Sequence, residues 1–328
     1  GRLDRVVPGE PQRLPVGLDR LVDEPRLVAH VAELAPQGEV SAFELAWDGP
    51  GTAPRSYRAS GRARGLGLAA QALAPAAPGA EPMPARPGVA GLDVDFRASE
   101  AGGEATLTLR DGALAFPGVF EQPRIPLASL DARLDWRIGN ALPGTPASIE
   151  VRVRDLRLAN ADLEGRFDAR WSGSSAASSA TPGVLDLAGK LTRADAAAVP
   201  RYLPLVVGDA VRSYLGQALQ GGRAFGVAVR LRGDLADFPF ATPDLGEFRV
   251  AAQLDDVRFA YMPAEPGWLG DPADVERRPW PAFADVRGEL VFERQSMQLK
   301  RLSATLPGVG SGALTVREVS GGIADLGA

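Results

Sequence analysis

The sequence predicts a mainly β protein built from a long antiparallel sheet, and three observations carry that expectation. Segment 130–138 sets Leu130, Ala132, Leu134, Trp136 and Ile138 on one face and Asp131, Arg133, Asp135 and Arg137 on the other. Strand side chains alternate with period two, so this is a strand with one apolar and one charged surface. The alternation recurs at Ile149/Val151/Val153, Phe167/Ala169/Trp171, Leu185/Leu187/Leu191, Val227/Val229/Leu231, Phe248/Val250/Leu254 and Leu290/Phe292. Thirdly, almost nothing suited to catalysis interrupts it. The accumulated apolar face has two possible fates: a closed β-sandwich filled by a second sheet, or an open surface that something else covers.

The chain opens with a helical lead-in over 1–36. Leu18, Leu21, Val22, Leu27, Val28, Val31 and Leu34 approximate helical spacing, with Pro25 as a break and Pro36-Gln37-Gly38 as the stop. A first β-rich half follows over 37–172, with strands near 39–47 and 55–68. A proline-rich linker at 74–88 can hold neither helix nor ladder. Two strands change phase midway, Val151/Val153 giving way to Leu156/Leu158 and Val250/Leu254 to Val257/Phe259. Each change predicts a β-bulge, at Asp155 and at Asp255-Asp256. A Ser/Ala/Gly loop at 173–183 divides this half from a second over 184–328. Within the second half Val207, Val211, Tyr214, Leu215, Ala218 and Leu219 mark an amphipathic helix at about 205–220, with Gly221-Gly222 as its predicted terminator.

Composition narrows the function. The 328 residues suffice for a real core, and 45% apolar residues with a formal charge of −5 are ordinary for a globular protein. The acidic balance speaks against nucleic acid as a partner. No cysteine is present, which removes disulfides, thiolate catalysis and cysteine-based zinc sites. His30, the single histidine, sits in the first helix pattern and supports neither a catalytic triad nor a metal site. Asp255 and Asp256 are sequence neighbours on a strand, so they point apart and cannot share a substrate. No glycine-rich phosphate loop appears. The expectation is a protein that is not an enzyme, with no cofactor and no metal. No run of residues reaches the 18 to 20 apolar positions of a membrane helix (about that many are needed), and Gly1-Arg2-Leu3-Asp4 is not a signal peptide.

The stretch from Pro182 to Phe240 is the most distinctive. It runs Pro182-Gly183-Val184-Leu185-Asp186-Leu187, then Arg201-Tyr202-Leu203-Pro204, the helix, Gly221-Gly222, and Gly233-Asp234-Leu235 leading to Phe238-Pro239-Phe240. With Pro36-Gln37-Gly38-Glu39-Val40 upstream and Trp280-Pro281 downstream, it resembles the central region of the YhdP family, part of the AsmA-like group that includes TamB. The resemblance implies an internal periplasmic fragment of a longer protein anchored in the inner membrane. It implies movement of phospholipid between the inner and outer membranes, which the rest of the chain would reach, with other envelope proteins as further partners. It also implies a long twisted antiparallel sheet curled into an apolar-lined trough, a repeating β-groove with a few amphipathic helices, in preference to the sandwich. The family offers no catalytic residues to carry over.

A trough makes the apolar face the candidate site. The expected lining is Leu134, Trp136, Val151, Val153, Phe167, Trp171, Leu187, Leu191, Val229, Leu231, Val250, Leu254, Leu290 and Phe292. Acyl chains need such a continuous apolar surface, while the charged opposite face keeps the protein in water.

Overall fold

Alternation along the chain becomes strand after strand in a computed structural model, which describes residues 2–3, 37–49, 55–71, 86–139, 147–174, 182–263, 280–309 and 312–324. The strands are β1 (Arg2–Leu3), β2 (Gln37–Asp48), β3 (Ser56–Leu68), β4 (Gly88–Ser99), β5 (Gly102–Ala115), β6 (Arg124–Ile138) and β7 (Ser148–Ala159). They continue with β8 (Leu163–Ser174), β9 (Val184–Asp195), β10 (Leu219–Asp234), β11 (Gly246–Phe259), β12 (Phe283–Glu293), β13 (Ser296–Val309) and β14 (Gly312–Ile323). Their hydrogen-bonded order is simply the chain order. Strands that are consecutive in the chain are thus neighbours in the sheet, the usual outcome for sequential antiparallel strands. The protein is mainly β and its described strands form one antiparallel sheet, in which β1 and β14 do not pair with each other. The alternative of a closed sandwich is set aside, because no second sheet exists among the described residues to fill the apolar face.

The helix expected at 18–34, with His30, lies outside the described residues, as do most of the proline-rich 74–88 and the centre of the 173–183 loop. Strands expected near 39–47 and 55–68 are β2 and β3.

Both bulges foreseen from the phase changes are present. Asp155 and Asp256 adopt left-handed φ of 52° and 55°, and the registers slip beside them, between Asp131 and Arg133 on β6 and between Leu254 and Val257 on β11. Asp111, Asp285, Arg301 and Glu318 repeat the device on β5, β12, β13 and β14. Aspartate tolerates this conformation because its short side chain bonds locally. The extra residue re-phases the strand, so apolar side chains beyond the bulge return to the same face.

The chain divides into two compact units. The first comprises 1–118, 122–161 and 166–186. Its most buried side chains are Leu109, Ala113, Leu127, Leu130 and Ala132, on β5 and β6. The second comprises 119–121, 162–165 and 187–328. There a 3-10 helix, Ala196–Tyr202, is capped by the Asp195 carboxylate, which accepts from Ala197 N at 2.9 Å. Ala196 packs with Val257, Val286 and Ala304 in a buried cluster edged by Leu219, Phe259 and Leu302.

The helix expected at about 205–220 is α1, Asp209–Ala218. It does not end at Gly221-Gly222. The chain turns extended at Leu219, and both glycines lie inside β10. At Gly222 (φ 99°) a Cβ would stand 2.3 Å from the Val257 Cα and 2.4 Å from the Asp256 oxygen. This glycine is required where β10 crosses the Asp256 bulge, so a helix-stop signature was serving a strand.

Candidate functional site

Directly opposed residues in an antiparallel pair share a face. The registers therefore show which apolar residues meet. In the first unit Leu134 opposes Val153 and Trp136 opposes Val151. Leu134 also opposes Ala105, which opposes Phe96, which opposes Gly61. A Cβ at Gly61 would lie 3.3 Å from the Phe43 ring, so the row continues onto β2. A parallel row runs Leu66, Leu92, Leu109, Leu130 and Leu158, one leucine from each of β3 to β7. Such cross-strand apolar pairs contribute roughly 0.2–1 kcal/mol each.

In the second unit Val229 opposes Val250, Val250 opposes Phe292, Phe292 opposes Met297 and Met297 opposes Ile323. Leu231 opposes Phe248, and Leu290 lies between Ala252 and Leu299. Leu254 faces Gly288 and packs against the cluster around Val257, so it contributes to the core as well as the face. Leu191 lies over Gly165, where a Cβ would come within 2.5 Å of its Cδ2. Leu187 offers its carbonyl to the Arg230 guanidinium at 3.3 Å. Back in the first unit, Phe167 is partly buried on β8, and Trp171 donates Nε1–H to the Pro182 oxygen at 2.9 Å, which fixes its indole.

All fourteen expected lining residues share one property. Each is partly exposed, neither buried as core nor fully solvated. A sheet face packed by a second sheet buries such residues almost completely, whereas an uncovered face leaves them partly open to water. The leucine row differs. Its ends, Leu66 and Leu158, are partly exposed, but Leu109 and Leu130 are buried at its centre. Sequence reasoning did not single out Leu66, Leu92, Phe96 or Leu109. The alternation Leu92, Val94, Phe96 against Asp93, Asp95, Arg97 is the signal that could have found β4.

The opposite face is laced with ion pairs. Arg62 meets Asp95 at 3.1 Å, Arg110 meets Asp131 at 2.9 Å and Arg154 meets Asp135 at 2.5 Å. In the second unit Asp255 takes Arg223 at 2.9 Å and Arg287 at 3.3 Å. Asp255 is thus an ion-pair acceptor and Asp256 the bulge residue, which separates the two acids chemically. Exposed pairs contribute about 0–1 kcal/mol each, so this face adds little to stability. Among the described residues no group of three His, Asp or Glu converges to hold a metal, and no helix is long and apolar enough to cross a membrane.

Fold and site together define a class: mainly β proteins built on an antiparallel sheet with one ion-paired face and one apolar face that is partly exposed. A family model described as "YhdP protein" matches residues 15–328, and the chain belongs to that family, an AsmA-like family of envelope proteins. No curated protein and no solved structure matches the chain significantly.

Proposed function

We propose that this chain is a periplasmic segment of a bridge-like lipid transporter, carrying phospholipid acyl chains along a hydrophobic β-groove between the inner and outer membranes without catalysing a reaction. The row Val229–Val250–Phe292–Met297–Ile323 carries the proposal: apolar side chains in cross-strand register over β10 to β14, none of them buried. Each lipid methylene leaving water for such a surface is worth about 0.8 kcal/mol, and the attraction is non-directional. A tail can therefore be held without specific anchors and can move from row to row at nearly constant energy. Direction is then supplied at the ends of the path. Membership of an envelope family supports this reading, as does the charged reverse face, which suits an aqueous compartment.

Native mass spectrometry with lipid extraction tests it. The purified protein is expected to carry phospholipid, and the triple variant Val153→Asp, Leu187→Asp, Val229→Asp is expected to lose it while keeping its β circular dichroism. An apo mass for the parent protein, together with slow amide exchange along the whole apolar face, would sink the proposal.

A further inference from the structure

At one end of the first unit the apolar and charged faces meet in a cleft of about 560 Å³. The tips of β6, β7 and β8 form it, with Arg137, Ile138, Ser148, Ile149, Glu150 and Ser172 in its wall. The register explains its two-sided character. Ile138 opposes Ile149 on the face that bears Trp136 and Val151, whereas Arg137 opposes Glu150 on the ion-paired face. The cleft thus wraps the strand ends, with an apolar floor and a charged lip.

Charge at that lip is unbalanced. Glu150 gives one carboxylate oxygen to Arg152 at 2.8 Å and the other to Arg170 at 2.5 Å. Its carboxyl is held below the ordinary glutamate value, chiefly by the Arg170 hydrogen bond. Both oxygens are therefore taken, and Arg137, directly across the ladder, makes no ion pair or hydrogen bond among the described residues. Glu150 is thus engaged by Arg152 and Arg170, and Arg137 stands beside the apolar floor without a bonded carboxylate. A guanidinium with its donors free suits a phosphate, which it binds through paired N–H donors.

We infer that this cleft holds the phosphate-bearing headgroup of a glycerophospholipid, with Arg137 as its counter-charge and the acyl chains leaving over Ile138 and Ile149 onto the rows of Trp136–Val151 and Leu134–Val153. The inference rests on the proposed lipid conduit and adds to it a fixed position for the headgroup. The same phosphate chemistry would serve a free anion, so the ligand's source is part of the test.

The test uses the purified protein and three probes: dioctanoyl-phosphatidylglycerol below its micelle concentration, dioctanoylglycerol with the same tails and no phosphate, and glycerol 3-phosphate with no tails. The variants are Arg137→Gln and, as a control on the charged face of the same strand, Arg133→Gln. Arg137→Gln is expected to weaken the phospholipid roughly tenfold, the scale of one charge-assisted hydrogen-bonded pair, and to leave dioctanoylglycerol unchanged. Arg133→Gln is expected to change neither. Equal effects on both lipids, or none on either, would overturn the headgroup site while leaving the conduit standing. Glycerol 3-phosphate binding as tightly as the phospholipid would overturn it in favour of a free-anion site. If the parent protein binds neither lipid, the conduit itself fails and this inference with it.

Discussion

The Trp136 indole lies directly on Gly103, its cross-strand partner: a Cβ at that glycine would stand 2.5 Å from Cζ2 and 2.7 Å from Cη2. The same Cβ would meet the Arg97 carbonyl oxygen at 2.4 Å. Gly103 is therefore small because the largest side chain on the apolar face needs its volume. Gly103→Ala is expected to cost about 1–3 kcal/mol, the scale of inserting a methyl into an occupied site. The midpoint of urea denaturation measures the cost, and a shift in tryptophan emission would report the displaced ring.

Leu109 and Leu134 sit on the same face but in different surroundings. Leu109 is 1% exposed, whereas Leu134 is partly open to solvent. Leu109→Ala is expected to destabilise by about 2–5 kcal/mol through transfer and cavity terms. Leu134→Ala should cost less than Leu109→Ala, since Leu134 is partly open to solvent and leaves a smaller closed cavity. Paired with the lipid assay, the two variants separate fold from function: Leu134→Ala should lower lipid occupancy at a smaller cost in stability than Leu109→Ala.

Glu150 makes a prediction in pH. Its folded pKa lies below the ordinary value of 4.5, so the Arg170 and Arg152 pairs stabilise the fold above that value and lose their effect as pH falls through the lowered one. Carboxyl titration followed by NMR is expected to give a midpoint below 4.5 for Glu150. Arg170→Gln should raise the midpoint more than Arg152→Gln does, because the Arg170 hydrogen bond is the larger cause. An unmoved midpoint in Arg170→Gln would remove that ion pair as the cause.

Asp162 ties the 3-10 helix to the start of β8. Its Oδ2 accepts from Arg201 Nη1 at 2.5 Å and from the Tyr202 hydroxyl at 2.8 Å. Asp162→Ala is expected to cost about 1.5–3 kcal/mol, the range for hydrogen bonds to a charged group. Faster amide exchange within 196–202 should accompany the loss. An unchanged exchange pattern there would mean that packing of Ala196 alone holds the segment.

This contact gives physical content to residues that stood out in the sequence without a role. Arg201-Tyr202 was distinctive as a word, but its partner Asp162 is 39 and 40 positions away. Phe238-Pro239-Phe240 is similar. Phe240 is wholly buried, and its ring packs against Gly233 and Gly246, whose Cβ positions would lie 2.6 Å and 2.7 Å from it. Phe238 meets Phe248 edge-on with ring centroids 5.0 Å apart. The motif is thus a plug at the β10–β11 turn. Its specificity came from packing against residues the word itself does not contain.

Other features were legible because their physics is local. The phase change from Val153 to Leu156 forces an extra residue on β7, and Asp155 takes it with a left-handed φ. The period-two pattern placed Leu134, Trp136, Val151 and Val153 on a common face, and the register puts them in contact. Gly221-Gly222 failed as a helix stop because the same pair of glycines also suits a strand crossing a neighbour's bulge, and only β11 distinguishes the two.

By itself the sequence determined that this chain makes strands, which face of each is apolar, and where two of them bulge, since period, phase and turn chemistry act over a few residues. Tertiary structure decided which residue meets which: the leucine row from Leu66 to Leu158, the indole on Gly103, and Arg137 left without a carboxylate while Glu150 serves two other arginines. It also decided that Leu109 is buried while Leu134 is partly exposed. Register and coverage are set by partners tens of residues distant, and a one-residue slip would move every side chain to the other face without altering the local pattern.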